Sequence, residues 1–359
     1  MPHTSQDLPR PREPLEPMLL SALREGYGGG TLRADAVAGM TVAIVALPLS
    51  MAIAIASGVG PERGLFTAIV GGFLVACFGG SRYQIGGPAG AFIVLVAACV
   101  AQTGIAGLVL ATFLSGVMLA VLGLARLGSY IRFMPYPVTV GFTTGIGVII
   151  FVSQVKDMFG LTLPGGEPGP ILPKLEALWA ARESVTPVAV AVALATVVLI
   201  EAVKRFRPRW PSLLIGIAAV TAVSAVLGLP VETIASRFGA LPRMLPTPAL
   251  PEFSAQAVWA ALPWAASFTL LGAIESLLSA MVADGMSGTQ HRSNMELVAQ
   301  GLANMGAALV GGFCVTGTIA RTATNVRAGA QTPVAGMLHA VFVLAVMLMC
   351  CSLPVALSL

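Results

Sequence analysis

The residues most able to do chemistry in this chain are two charges set inside apolar sequence. Arg321 stands in "GGFCVTGTIARTATNVRAGA", residues 311–330, between two long apolar runs. A guanidinium binds carboxylate or sulfate oxygens in pairs, through a planar fork of N–H donors. Gly317 and Thr318 precede it, and Ile319 and Ala320 open a short helix in which Arg321 lies about one turn from the start. A second short apolar segment follows "RYQIGGPAG", residues 82–90. There Gly86, Gly87 and Gly90 admit close backbone approach to an anion. Pro88 suits a first helical turn, where its missing N–H costs nothing. Each helix N-terminus exposes free N–H groups and about half a positive charge. Two such termini aimed at one spot make an anion site from backbone alone, and Arg321 adds a full charge to it. The substrate-binding candidates are thus Gly87, Pro88, Ala89 and Gly90 on one segment, and Gly317, Thr318, Ile319, Ala320 and Arg321 on the other. Gln84 is a further donor and Phe92 a candidate wall, with apolar packing the competing reading of Phe92.

Glu275, in "SFTLLGAIESLLSAMVADG", is the other intramembrane charge. An ionisable group inside a membrane helix is a functional candidate by default. Phe268, Gly272, Glu275 and Ser279 share one helical face, so Glu275 and Ser279 are read as the proton-coupling pair. The competing reading makes Glu275 an ion-pair partner of Arg321. Asp284 and Glu296 read as solvated or capping residues at helix ends, and Arg327 as a membrane anchor. Pro48 interrupts the first long helix beside Ser50 and could free carbonyls toward the site. His291 reads as a loop residue and His339 stands alone. The five cysteines lie in or beside apolar runs with no metal-ligand spacing, so neither a metal nor a cofactor is expected.

These charges need unusual surroundings. Of 359 residues, 56% are hydrophobic and only 10% charged, against about a quarter charged in soluble domains. Most of the chain is therefore solvated by lipid. Glycine, at 40 residues, suits close helix packing in membranes. The net charge of +4 comes from residues between apolar runs, without the aromatic interleaving of a nucleic-acid surface. No P-loop, GxSxG or HExxH motif occurs, so an enzyme is not expected. Apolar segments fall near 35–58, 64–78, 88–101, 104–125, 136–155, 185–204, 211–229, 257–283, 295–312, 319–328 and 333–356. The third and tenth are too short to cross a bilayer, and each follows a glycine-rich, strand-like run. Short interrupted segments at corresponding places in two halves point to a transporter's binding site. The fold class expected is an all-α, polytopic, inverted-repeat membrane transporter whose two discontinuous half-helix segments meet at the membrane midplane. The basic N-terminal tail, Arg82, the 126–132 link, "KRFRPRW" at 204–210 and Arg292 place the N-terminus in the cytoplasm by the positive-inside rule, in a bacterial inner membrane.

Three ordered stretches resemble the SulP sulfate permease family of anion transporters. They are "PLSMAIAIASGVGPERGLFTAIVGG" at 48–72, "FGGSRYQIGGPAGAF" at 78–92 and "SNMELVAQGLANMGAALVGGFCVTGTIARTATNVRAGAQTP" at 293–333. The resemblance covers residues 30 to 356. It implies a cytoplasmic tail at 1–33, core segments 1–4 at 34–134, gate segments 5–7 at 135–256 and core segments 8–11 at 257–359. The family's gate segments 12–14 and its cytoplasmic STAS domain are absent from this sequence. The first-helix motif departs from the family at Leu49 and Ile53, where polar residues are usual. The resemblance places a cation site at Glu275, and Glu rather than Asp there favours protons over sodium. It implies a secondary transporter of small anions, sulfate or a C4-dicarboxylate, working by proton symport, with a possible homodimer. The alternatives are a channel or a bicarbonate or chloride exchanger without proton coupling, and a non-transporting truncated fragment.

Overall fold

A computed structural model describes residues 14–128, 136–163, 171–207, 212–230 and 244–350. Arg10 and Arg12 of the basic tail, Arg132 of the 126–132 link, Arg209 of "KRFRPRW" and Cys351, one of the five cysteines, lie outside the described residues. The described elements are helices with two very short strands. In order, they begin with α1 (Met18–Arg24), α2 (Gly29–Ala56), α3 (Pro61–Phe78, with a π turn at Thr67–Gly71), β1 (Gly86–Gly87) and α4 (Ile93–Leu124). Next come α5 (Tyr136–Phe159), α6 (Ile171–Ala180), α7 (Pro187–Phe206) and α8 (Ser212–Val226). The series ends with α9 (Ala255–Ser287), α10 (Ser293–Leu309), β2 (Thr316–Gly317), α11 (Ile319–Arg327) and α12 (Val334–Cys350).

Local sequence explains most boundaries. Pro61 opens α3 at a position where its missing N–H is harmless. Ser254 caps α9 by accepting from the Ala257 N–H at 3.1 Å, and Gly288 ends that helix in the left-handed region at φ 73°. Gly104, at φ 68°, breaks α4 into a short first part and a long second part. The break agrees with the expected division between segments 88–101 and 104–125. Two further elements were not anticipated. α1 forms within the supposed tail, and α2 begins at Gly29 rather than 35. α6 forms between two expected spans. Both are short and carry polar residues, so neither has the long apolar run that marks a span.

Five helices, α2, α3, α4 with its leading turn, α7 and α9, are long and apolar enough to cross a bilayer. α12 and part of α8 are shorter apolar helices. α7 has no buried residue and exposes Leu194, Val197 and Val198, a face suited only to an apolar solvent. α2, α3, α4 and α9–α12 pack together around α11, with α4 running along α9 and α10, and α12 along α2. Gly116 of α4 and Gly301 of α10 let two backbones touch: a Cβ on Gly116 would sit 2.7 Å from the Gly301 carbonyl oxygen. Small residues allow such approach where lipid offers no hydrophobic drive between helices. α7 contacts both α5 and α8, and α5 reaches the other group at the turn Gly90–Phe92.

The strands organise the centre. β1 and β2 pair antiparallel, with Gly86 opposite Gly317 and Gly87 opposite Thr316. A 3-10 turn at Gly90–Phe92 leads from β1 into α4, and α11 starts two residues after β2. The two short helices therefore begin on either side of one strand crossing.

Candidate functional site

Broken backbone inside a membrane protein must find its hydrogen bonds in the protein or in a water-filled cavity. Asn304 of α10 does much of that for β2. Its side-chain amide accepts from the Val315 N–H at 2.9 Å and donates to the Val315 carbonyl at 2.8 Å. Thr322 of α11 accepts from the Ile85 N–H at 3.0 Å and from the Ser279 hydroxyl at 3.1 Å. The Thr318 N–H and hydroxyl both donate to the Ile85 carbonyl, at 3.0 and 3.1 Å. These bonds hold the two strand ends, and hence the two helix starts, in register.

A cavity of about 460 Å³ lies against these helix starts. α2 lines it with Leu49 and Ile53, the β1–α4 link with Pro88, Ala89 and Gly90, and α11 and its approach with Thr318, Ile319, Ala320 and Arg321. Glu275 of α9 and Gln154 of α5 complete its polar lining. Arg321 is 2% exposed. Its Nη2 donates to the Pro88 carbonyl at 3.2 Å, while Nε and Nη1 have no hydrogen-bond partner. Nη1 lies close to Gly87, where a Cβ would stand only 2.5 Å from it and would push the guanidinium aside. An unpaired guanidinium away from water is costly. No carboxylate lies within ion-pair distance of it among the described residues. Glu275 lines the same cavity and is 8% exposed, but forms no ion pair with Arg321. The structure thus does not contain the Glu275–Arg321 pair considered from the sequence; the partner of Arg321 is a backbone carbonyl.

The first-turn N–H groups of α11 have no partner within the helix, by helix geometry. With the start of α4 and the Arg321 fork, they give the cavity a donor-rich, positive end suited to an oxyanion. Not every candidate lies there. Gln84 is buried behind the strands, its Nε2 donating to the Ser276 carbonyl at 2.9 Å. Phe92 packs on Phe268 with ring centroids 6.0 Å apart, in the apolar core. Gly317 faces the Gln84 amide, and its own Cβ would overlap it. Ser279 faces Thr322 rather than the cavity. Asn304 and Gln154 escaped the sequence reading; an amide inside an apolar segment was the available signal for both.

Other expectations concern the end of the molecule that holds the N-terminal segment. His291 is not merely a loop residue. Its Nδ1 lies 2.6 Å from Asp284 Oδ2 and its Nε2 3.1 Å from Ser293 Oγ. Glu296 is fully buried rather than solvated, and accepts from the Gly80 N–H at 3.0 Å and the Gln300 amide at 2.9 Å. Arg82 binds Glu25, and Arg292 donates to the Glu16 carbonyl and Ser21 hydroxyl at 2.8 Å each, so both basic residues lie at the same end as the N-terminal segment. Arg327 is exposed in the last turn of α11. His339 is fully buried in α12, with no hydrogen-bond partner on either ring nitrogen.

Known proteins resemble this arrangement along nearly the whole chain. The profile of the "Sulfate permease family" matches residues 32–356. A Bacillus subtilis protein named for sulfate transport, YvdB, is 42% identical over 339 residues, covering 92% of this chain and 62% of that protein. The bicarbonate transporter BicA of Picosynechococcus is 32% identical over 338 residues, covering 91% of this chain and 59% of BicA. The chain thus spans about three fifths of the length of these relatives. The solved transmembrane domain of a cyanobacterial BicA superposes with a TM-score of 0.82 at 32% identity, covering 92% of this chain and 86% of that one. The murine Solute Carrier 26 family member A9 anion transporter shares the fold, with a TM-score of 0.84 at 20% identity, over 96% of this chain and 60% of its own. An all-α, membrane-embedded chain with two interrupted segments is the architecture expected from the sequence. The match covers far more than half of its residues, with relatives above 30% identity, and so the chain belongs to the sulfate permease family.

Proposed function

We propose that this chain carries small oxyanions across a bilayer as a secondary transporter, binding them where the starts of α4 and α11 face each other. The observation that carries the reading is Arg321: a buried guanidinium with two N–H positions unpartnered, at the edge of a cavity lined by helix starts. An anion there supplies the charge and the acceptors that the protein withholds. Sulfate or a C4-dicarboxylate is the cargo, and proton symport the coupling. Glu275 is the proton carrier, because it lines the cavity that Arg321 borders and, among the described residues, pairs with no cation. The N-terminus is cytoplasmic, the membrane is a bacterial inner membrane, and the transporter assembles as a homodimer. α2–α4 with α9–α12 act as the moving core, and α5–α8 as part of the gate. A second reading, bicarbonate transport without proton coupling, is favoured by the BicA relatives at 32% and 33% identity.

Uptake of labelled sulfate, succinate and bicarbonate into proteoliposomes separates these readings. The first reading expects uptake of sulfate or succinate that rises with an inward proton gradient. Uptake of bicarbonate alone, indifferent to that gradient, selects the second. Uptake of none of the three, with the protein folded and inserted, overturns both.

A further inference from the structure

Among the described residues, the walls of the site cavity come from α2, α9, and the approaches to α4 and α11, with one exception. Gln154, from α5, is the exception. Its side chain is exposed to the cavity, and its carboxamide has no protein hydrogen-bond partner among the described residues. α5 comes against the rest of the molecule at the Gly90–Phe92 turn, the start of one of the two short helices. Gln154 also lines a second cavity, of about 560 Å³, together with Lys156, Asp157, Thr162 and Thr186. It therefore stands where the two cavities adjoin.

The chemistry of the other polar groups gives this amide a distinct task. Helix-start N–H groups and the Arg321 guanidinium offer donors only. The Thr318 hydroxyl donates its proton to the Ile85 carbonyl and keeps only acceptor lone pairs. A carboxamide offers two N–H donors and a carbonyl acceptor. Oxyanions differ in just this respect. Sulfate and a fully ionised dicarboxylate present acceptors only, whereas bicarbonate presents acceptors and one O–H donor. The donor-rich end at Arg321 favours the former, while Glu275 is the acceptor on the α9 wall. A reorientable amide on the far wall admits either, and its replacement should change the balance between them.

We propose that Gln154 is the specificity-determining residue on the α5 side of the anion cavity, its carboxamide hydrogen-bonding the oxyanion held at Arg321 where the cavity meets the second one. The proposal rests on the reading of the cavity as an anion site. Its test therefore carries an arm for each. Equilibrium binding of sulfate, succinate and bicarbonate is measured on the full chain at fixed pH and ionic strength, for the wild type, Gln154→Met, Gln154→Glu and Arg321→Ala. Gln154→Met keeps length and removes both donor and acceptor; affinity should fall about two- to tenfold, the size of one neutral hydrogen bond. Gln154→Glu keeps acceptors, loses the donors and adds like charge. It should weaken the dianions more than bicarbonate, lowering the sulfate-to-bicarbonate affinity ratio by about tenfold. A merely structural role leaves that ratio unchanged. If both Gln154 variants keep wild-type affinities and ratio while Arg321→Ala loses binding, the role of Gln154 is overturned and the anion site stands. If Arg321→Ala binds as wild type, or the wild type binds none of the probes, the anion site itself is overturned. Gln154→Cys supplies a measurement that does not depend on affinity. Its alkylation, followed by mass spectrometry of its own peptide, should slow when the bound anion is present, and an unchanged rate also overturns the role.

Discussion

Among the described residues no carboxylate pairs with the Arg321 guanidinium, whose Nε and Nη1 lack partners, and this is the origin of its expected effect on binding. Replacing it removes charge-assisted hydrogen bonds, which contribute about 1.5–3 kcal/mol each. Arg321→Ala should therefore weaken anion binding by about tenfold or more, measured by calorimetry on the purified protein. Arg321→Lys should recover only part of this, because an ammonium cannot fork across two oxygens. Glu275 belongs to the same scale. Glu275→Gln mimics the protonated carboxyl and should keep anion binding and exchange while losing accumulation driven by a proton gradient. Wild-type accumulation by that variant would exclude Glu275 as the proton carrier. Both charges were legible because a charge in apolar sequence is conspicuous. Gln84 and Phe92 were harder to place. Gln84 lies in extended backbone, where successive side chains point to opposite faces, and Phe92 in a 3-10 turn; no sequence feature says which way either faces. Gln84 turned out to face Ser276, and Phe92 to face Phe268. Asn304 and Gln154 were not legible as site-builders, since an amide in an apolar run does not tell what it faces: Asn304 supports the backbone at Val315, and Gln154 lines the cavity from α5.

At the scale of elements, two strands of two residues each hold two helix starts face to face. So little strand has to be supported by side chains, and Asn304 and Thr322 supply that support. The cavity at the helix starts is open because Ala89 and Gly90, which line it, have almost no side chain. Ala89→Leu should fill it and abolish anion binding while leaving the thermal unfolding temperature within a few degrees. Retained binding would mean that the anion sits elsewhere. α1 makes a separate, testable contact. Its Met18 N–H donates to the Gly79 carbonyl at 2.9 Å, just past the end of α3. The Arg82 guanidinium, by hydrogen bond and charge, holds the Glu25 carboxyl below the usual carboxylate range, and Glu25 raises Arg82 in turn. A depressed carboxyl contributes stability that is present above its unfolded value, about 4.3, and is lost as pH falls through the folded value. Amide protection factors in Met18–Arg24, the exchange rates divided into their intrinsic rates at each pH, should thus fall below about pH 4 and stay flat between about pH 6 and 8. Arg82→Ala should shrink that acid step; an unchanged step would remove the Glu25–Arg82 contact as its cause. The short half-helix at 319–328 was legible almost to the residue, ending at Arg327, because glycines and an apolar break bound it. α1 and α6 were not, since short polar helices depend on tertiary contacts for their existence.

At the scale of the whole molecule, lipid explains what a soluble fold could not. α7 exposes an apolar surface, and the polar backbone is confined to a centre where protein groups satisfy it. The interrupted segments were readable as a transporter's centre, since two short, glycine-led runs stand at corresponding places in the chain. Their direct pairing, Gly86 with Gly317, needed the structure, because strands of this length leave no periodic pattern. The account reduces to one claim: an oxyanion sits between the starts of α4 and α11, against Arg321. Anomalous diffraction from crystals grown with selenate, whose selenium marks the ion, tests it most directly. The account predicts a peak in the cavity between Ala89–Gly90 and Ile319–Ala320, within hydrogen-bond reach of Arg321 Nε or Nη1. Selenate bound elsewhere, with that cavity empty at a concentration that saturates binding in solution, would contradict it.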